Sequence, residues 1–167
     1  SLIDHNVGRI MTALNDLDIA ENTLVIFTAD HGELLGDHGL LLKGPFIYES
    51  LLRVGCIMKG PNIPKNQIID DPVSTLDIPA TLYDYANITN PMDLNGKSLL
   101  GLIHNKENKD FAYSEWDLRS SRTGLELDLR VARTKGAKLI YEEISQTGEM
   151  YILSEDPGEM NNVFNDT

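Results

Sequence analysis

The chain has 167 residues, enough for an ordinary domain with a sizeable core, and its 41% hydrophobic and 24% charged residues are those of a globular protein. A formal net charge of −12, spread along the chain rather than gathered in a tail, repels phosphate backbones and argues against nucleic acid as a partner. A single cysteine, Cys56, rules out an internal disulfide, and no apolar run approaches the roughly 20 residues of a membrane-spanning helix.

Ile3, Val7, Ile10, Met11, Leu14 and Leu17 share one face of a 3.6-residue repeat, which predicts a helix ending near Asp18. After a turn at Glu21-Asn22, Thr23 to Ala29 is β-branched and aromatic without alternation, the pattern of a strand covered on both faces in a parallel sheet. Helix followed by buried strand gives an α/β fold class. A second apolar run, Arg53 to Met58, stops at Lys59-Gly60-Pro61 and contains Cys56, which reads as a buried, inert thiol. Ser74-Thr75-Leu76-Asp77 leads into another helix with Ile78, Leu82 and Ala86 in register. With Asp77 as N-cap, Pro79 falls in the first turn, where its missing N–H costs nothing.

Residues 87–96 read as loop. From about Asp110 the pattern changes to short alternating strands at Phe111 to Asp117, Leu129 to Thr134, Ala137 to Glu142 and Met150 to Leu153. Lys135-Gly136 and Gln146-Thr147-Gly148 supply the hairpin turns, and Glu159 to Phe164 suits a terminal helical turn. The expected division is an α/β part over residues 1–100 and an antiparallel-sheet subdomain over 101–167.

Chemistry-bearing residues concentrate after the first strand, in Thr28-Ala29-Asp30-His31-Gly32-Glu33. Ligands of open α/β sheets bind outside the carboxyl ends of strands, where Asp30 and His31 fall. A carboxylate beside an imidazole suits half of a divalent-metal site, and Gly32 would let the backbone turn so that both side chains face one point. Taken alone, the dipeptide is better explained by a capped turn with a satisfied loop histidine, since short motifs match often by chance. His38 lies in Gly36-Asp37-His38-Gly39, and Lys43 stands alone after Leu40-Leu41-Leu42. An ammonium so placed either snorkels from an apolar wall or serves an anionic substrate.

Leu24 to Gly39 resembles the sulfatase segment strand, Thr-x-Asp-His/Asn-Gly, then Leu-Gly-x-His-Gly. Lys43, Tyr48-Glu49 and Arg53-Val54 continue that order, as do Val73-Ser74-Thr75-Leu76-Asp77 with Pro79 to Leu82 and Gly96-Lys97-Ser98-Leu99. Glu149 to Leu153 with Asp156-Pro157-Gly158-Glu159 and Asn161-Asn162 is similar to the family's closing motif. The resemblance implies part of an alkaline-phosphatase-like parallel sheet with helices, plus a small C-terminal antiparallel sheet. It implies that Asp30 and His31 ligate a divalent cation, Ca²⁺ foremost with Mn²⁺ as an alternative. It implies that Lys43 contacts the sulfate and the ester oxygen, with His38 close by, and that Glu49 and Arg53 form a structural ion pair. The partner implied is a small-molecule or glycan sulfate ester.

Family members take their nucleophile from Cys/Ser-x-Pro-x-Arg, matured to formylglycine. No stretch of the 167 residues fits that motif; Cys56-Ile57-Met58-Lys59-Gly60 and Thr89-Asn90-Pro91-Met92-Asp93 both fail. Asp70-Asp71, which precedes Pro72-Val73-Ser74, reads as a solvated turn rather than the family's metal-binding pair. The opening residues resemble a mid-protein helix. The chain is therefore expected to be the C-terminal part of a sulfatase, with the formylglycine in a missing N-terminal part. The alternatives are a fragment of a phosphonate or phosphate monoesterase of the same superfamily, a non-catalytic fragment or pseudoenzyme, and an unrelated α/β binding module.

Overall fold

The computed structural model describes residues 1–89, 93–119, 124 and 126–166. The part of the 87–96 loop at 90–92 lies outside them. The chain forms two compact units, Ser1–Asp30 with Val54–Gln67, and His31–Arg53 with Ile68–Thr167.

The first unit opens with α1 (Leu2–Asp16), whose Ser1 hydroxyl accepts a hydrogen bond from Asp4 N at 3.2 Å and caps the helix. Val7, Met11 and Leu14 on its apolar face are half-buried, while Ile3 and Ile10 are exposed. Strands β1 (Val25–Phe27) and β2 (Ile57–Lys59) pair antiparallel, with Ile26 opposite Met58. The parallel neighbour suggested by the apolar run is not the pairing found here. Phe27 is 41% exposed and Ile57 63%, so β1 and β2 are not covered on both faces. Cys56, expected to be buried, is exposed and precedes a strand whose own Ile57 and Lys59 are exposed as well.

The second unit contains α2 (Glu49–Leu52), α3 (Asp77–Tyr85), α4 (Leu100–Ile103) and an antiparallel sheet of β3 (Phe111–Asp117), β4 (Asp128–Thr134), β5 (Lys138–Glu142) and β6 (Thr147–Tyr151) in sequential order. The fold class is α/β, with the C-terminal antiparallel sheet that the alternating pattern predicts. Leu129, Val131, Ile140 and Tyr151 point to one face and close a core with Ile47 and Leu153. The β4–β5 hairpin turns at Lys135-Gly136, closed by Thr134 N donating to Ala137 O at 2.9 Å. The β5–β6 turn lies earlier than expected, at Glu143–Gln146 between the paired Glu142 and Thr147. Gly148 sits inside β6 instead, where an added Cβ would lie 2.7 Å from both Ile140 O and the Phe164 ring. Residues 159–164 form no helical turn. Val163 N bonds Met150 O at 2.9 Å and Met150 N bonds Asn162 Oδ1 at 3.0 Å, which draws the segment along β6.

Asp77 does not cap its helix from outside as expected; it is the first helical residue and only 1% exposed. Its carboxylate accepts from Ser74 N at 2.8 Å and Lys97 N at 3.0 Å and pairs with the Lys109 ammonium. Thr81, fully buried, donates to Asp77 O at 2.7 Å and accepts from Leu99 N at 2.9 Å. These bonds fasten α3 to the segment entering α4. Asp71, expected to be a solvated turn residue, accepts from Lys109 N at 3.3 Å and pairs with Lys135 at 3.2 Å. The Lys109 N–H foremost, then Lys135, holds its carboxyl below the usual value.

Candidate functional site

The loop from His31 to α2 is built on a close backbone approach. Gly32 N donates to Leu51 O at 2.7 Å, and a Cβ on Gly32 would fall 2.0 Å from Ser50 O. Glycine is required here for contact with α2, not for the sharp turn that the sequence suggested. Glu33 and Leu34 follow, and Leu34 is buried. The chain then reverses through Gly36 (φ 101°), Asp37, His38 (φ 50°) and Gly39 (φ 71°). Leu34 N bonds Leu42 O at 3.1 Å and Gly36 N bonds Leu40 O at 2.8 Å, which brings Lys43 back beside the start of the loop.

Lys43 Nζ lies 2.7 Å from His31 Nε2, and His31 Nδ1 lies 2.7 Å from Gly32 O. A carbonyl oxygen only accepts and an ammonium only donates. The proton is therefore on Nδ1, and the Nε2 lone pair faces a cation. His38 stacks on Tyr48, ring centroids 3.7 Å apart and planes within 8°, with Phe46 parallel to Tyr48 at 6.3 Å. His38 Nε2 is buried and has no hydrogen-bond partner among the described residues. Asp30 ends the first unit three residues after β1, exposed, and His31 opens the second. Thus His31 and Lys43 are brought together, and His38 is held by Tyr48. Among the described residues, no three His, Cys, Asp or Glu side chains gather as a metal centre would.

Glu49 does not pair with Arg53. Its carboxylate instead takes Arg133 at 3.0 Å, with Lys138 at 3.8 Å, two cations that the sheet brings from strands β4 and β5. Lys138 is fully buried; its ammonium donates to Ile47 O at 2.6 Å and pairs with Glu159. Glu159 in turn accepts from Glu49 N at 2.6 Å. It sits at φ 55°, a conformation costing a non-glycine residue roughly 1–2 kcal/mol, sustained by these bonds. Burial, then the negative Glu149 and Glu159, pushes the Tyr48 phenol above its ordinary value. Sequence reasoning missed Lys138 and Glu159. The signal was parity, since Lys138 shares its strand face with the inward Ile140.

A family model described as N-sulphoglucosamine sulphohydrolase, C-terminal, matches residues 36–167. The uncharacterized sulfatase YidJ of Escherichia coli strain K12 is 30% identical over 164 residues, covering 98% of this chain and 32% of that protein. The N-acetylglucosamine-6-O-sulfatase of Bacteroides thetaiotaomicron is 31% identical over 170 residues, covering 97% of this chain and 30% of its own length. A solved 2-O GAG sulfatase superposes with a TM-score of 0.86 at 28% identity, over 98% of this chain and 36% of that one. The chain thus spans about a third of the length of the curated relatives it matches. With a family model over most of its residues and a shared fold from end to end, the chain belongs to the sulfatase family and corresponds to its C-terminal portion.

Proposed function

We propose that these residues supply the cation-binding and sulfate-binding half of a sulfatase active site, in a longer enzyme that hydrolyses sulfate esters. The observation that carries the reading is the His31–Lys43 pair at 2.7 Å, a lone-pair donor and an ammonium on one loop of a sulfatase-family chain. On the same reading, residues 1–100 belong to the α/β catalytic domain and 101–167 form its antiparallel-sheet subdomain.

Asp30 and His31 would hold one divalent cation, Ca²⁺ foremost and Mn²⁺ as the alternative. The donor set fits in part: Nδ1 is committed to Gly32 O, Nε2 becomes a ligand atom only when the Lys43 ammonium, here 2.7 Å from it, turns to the substrate, and Asp30 adds a carboxylate. Two donors are a minority of the six to eight oxygens that Ca²⁺ takes, so further ligands come from outside these residues. When bound, the cation polarises the ester's sulfate oxygens. Lys43 donates to a sulfate oxygen or the ester oxygen, and the orphaned His38 Nε2 supports a polar contact to the substrate. The formylglycine nucleophile comes from a segment outside the present sequence. A sulfated sugar is the substrate class supported by the relative named for N-acetylglucosamine 6-O-sulfate.

Aryl-sulfate and aryl-phosphonate assays on the longer protein test this reading. Lys43→Ala should lower kcat on the sulfate by about 10²–10³-fold. The 167-residue chain alone should give no turnover and only weak Ca²⁺ binding by calorimetry. Preference for the phosphonate would transfer the enzyme to the monoesterase branch, and turnover by the chain alone would show that its nucleophile lies within these residues.

A further inference from the structure

We infer that the buried Lys138–Glu159 pair is a clamp that positions Tyr48, and through it His38, in the candidate site. The pair grips both peptide groups that flank Tyr48. Lys138 Nζ holds the Ile47 carbonyl at 2.6 Å, and Glu159 holds the Glu49 N–H at 2.6 Å. Restrained on both sides, residue 48 presents its ring flat against His38 at 3.7 Å. The side chains of the two gripping residues are 0% and 2% exposed, so the ions are withdrawn from water.

Chemistry separates this role from simple core filling. Apolar side chains of similar volume would often serve stability as well as a buried ion pair, and sometimes better. They would offer no directional acceptor for an N–H and no donor for a carbonyl. The pair also spans the chain, since Glu159 lies 110 residues beyond Glu49. The end of the family's closing motif thereby controls the loop that carries His38 and Lys43. The functional meaning of this control rests on the proposed roles of those two residues, whereas the geometry stands apart from them.

Proton NMR of the full chain supplies the test, because the Tyr48 ring current shifts the His38 ring protons. Tyr48→Leu gives the unshifted position. Lys138→Met/Glu159→Met removes both charges together and strands neither. In this double variant, with the β3–β6 amide pattern retained, the His38 signals should move at least halfway to the Tyr48→Leu position. Signals at the unaltered position in the folded double variant would overturn the clamp. If the double variant does not fold, hydrogen exchange in the unaltered chain decides. Glu49 N–H should exchange as slowly as the β4–β5 ladder amides, and exchange at exposed-loop rates would overturn the proposal. Inorganic sulfate titrated against the Lys43 side-chain signal tests the functional reading separately, so either can fail without the other.

Discussion

Glu142 directs its carboxylate at the turn it precedes, accepting from Asp128 N at 3.0 Å, Ile144 N at 3.2 Å and Ser145 N at 2.5 Å. Ser145 foremost, with the Asp128 and Ile144 N–H groups, brings its pKa down to about 2 from an ordinary 4.5. A group with a depressed folded pKa stabilises the fold fully above its unfolded value and loses that contribution as pH falls through the folded one. Glu142→Gln should therefore melt below the unaltered chain at pH 7. The gap should narrow below about pH 4.5 and close near pH 2, as followed by circular dichroism. A gap constant across that window would show that the carboxylate charge contributes nothing. His31 and Lys43 stand out in sequence because they follow apolar runs, and the fold brings them within 2.7 Å of each other. The work of Gly32 was not legible, since a close approach to Ser50 O leaves no local pattern.

Elements with similar apolar faces have different fates here. Ile10 on α1 is 59% exposed, while Ile140 on β5 is 6% exposed within the core cluster. Ile140→Ala should cost about 2–5 kcal/mol in urea unfolding, through lost burial and the cavity left behind. Ile10→Ala should stay within about 0.5 kcal/mol, and comparable losses at both positions would contradict the burial described. The four-stranded sheet was legible in sequence because alternation fixes which face is buried and Lys135-Gly136 fixes one hairpin. β1 was legible as a strand, but its direction was not. A continuous apolar run suggests burial on both sides, which β1 does not have here, and carries no information on which neighbour pairs, or which way it runs. The β5–β6 turn was misplaced because Gly148 looks like a turn residue and is in fact a packing one.

For the whole molecule, a net charge of −12 makes self-repulsion a general term against compactness. Salt at 0.1 M largely screens exposed charges more than about 10 Å apart, and buried pairs such as Lys138–Glu159 much less. The melting temperature should accordingly rise by ~2–4 °C between 10 and about 200 mM NaCl, the response to about 1 kcal/mol in a chain of this size. A fall would mean that exposed ion pairs outweigh the net repulsion. The clamp on Tyr48 also has a consequence in time. Strands β3 to β6 are neighbours in sequence and can pair as they emerge during synthesis, but the site loop waits for Glu159, 110 residues after Glu49. At about 5–20 residues per second, roughly 5–20 s separate the making of the loop from the making of its anchor. A ribosome that pauses in that interval leaves Tyr48, and the His38 ring stacked on it, without the anchor and open to proteases and chaperones.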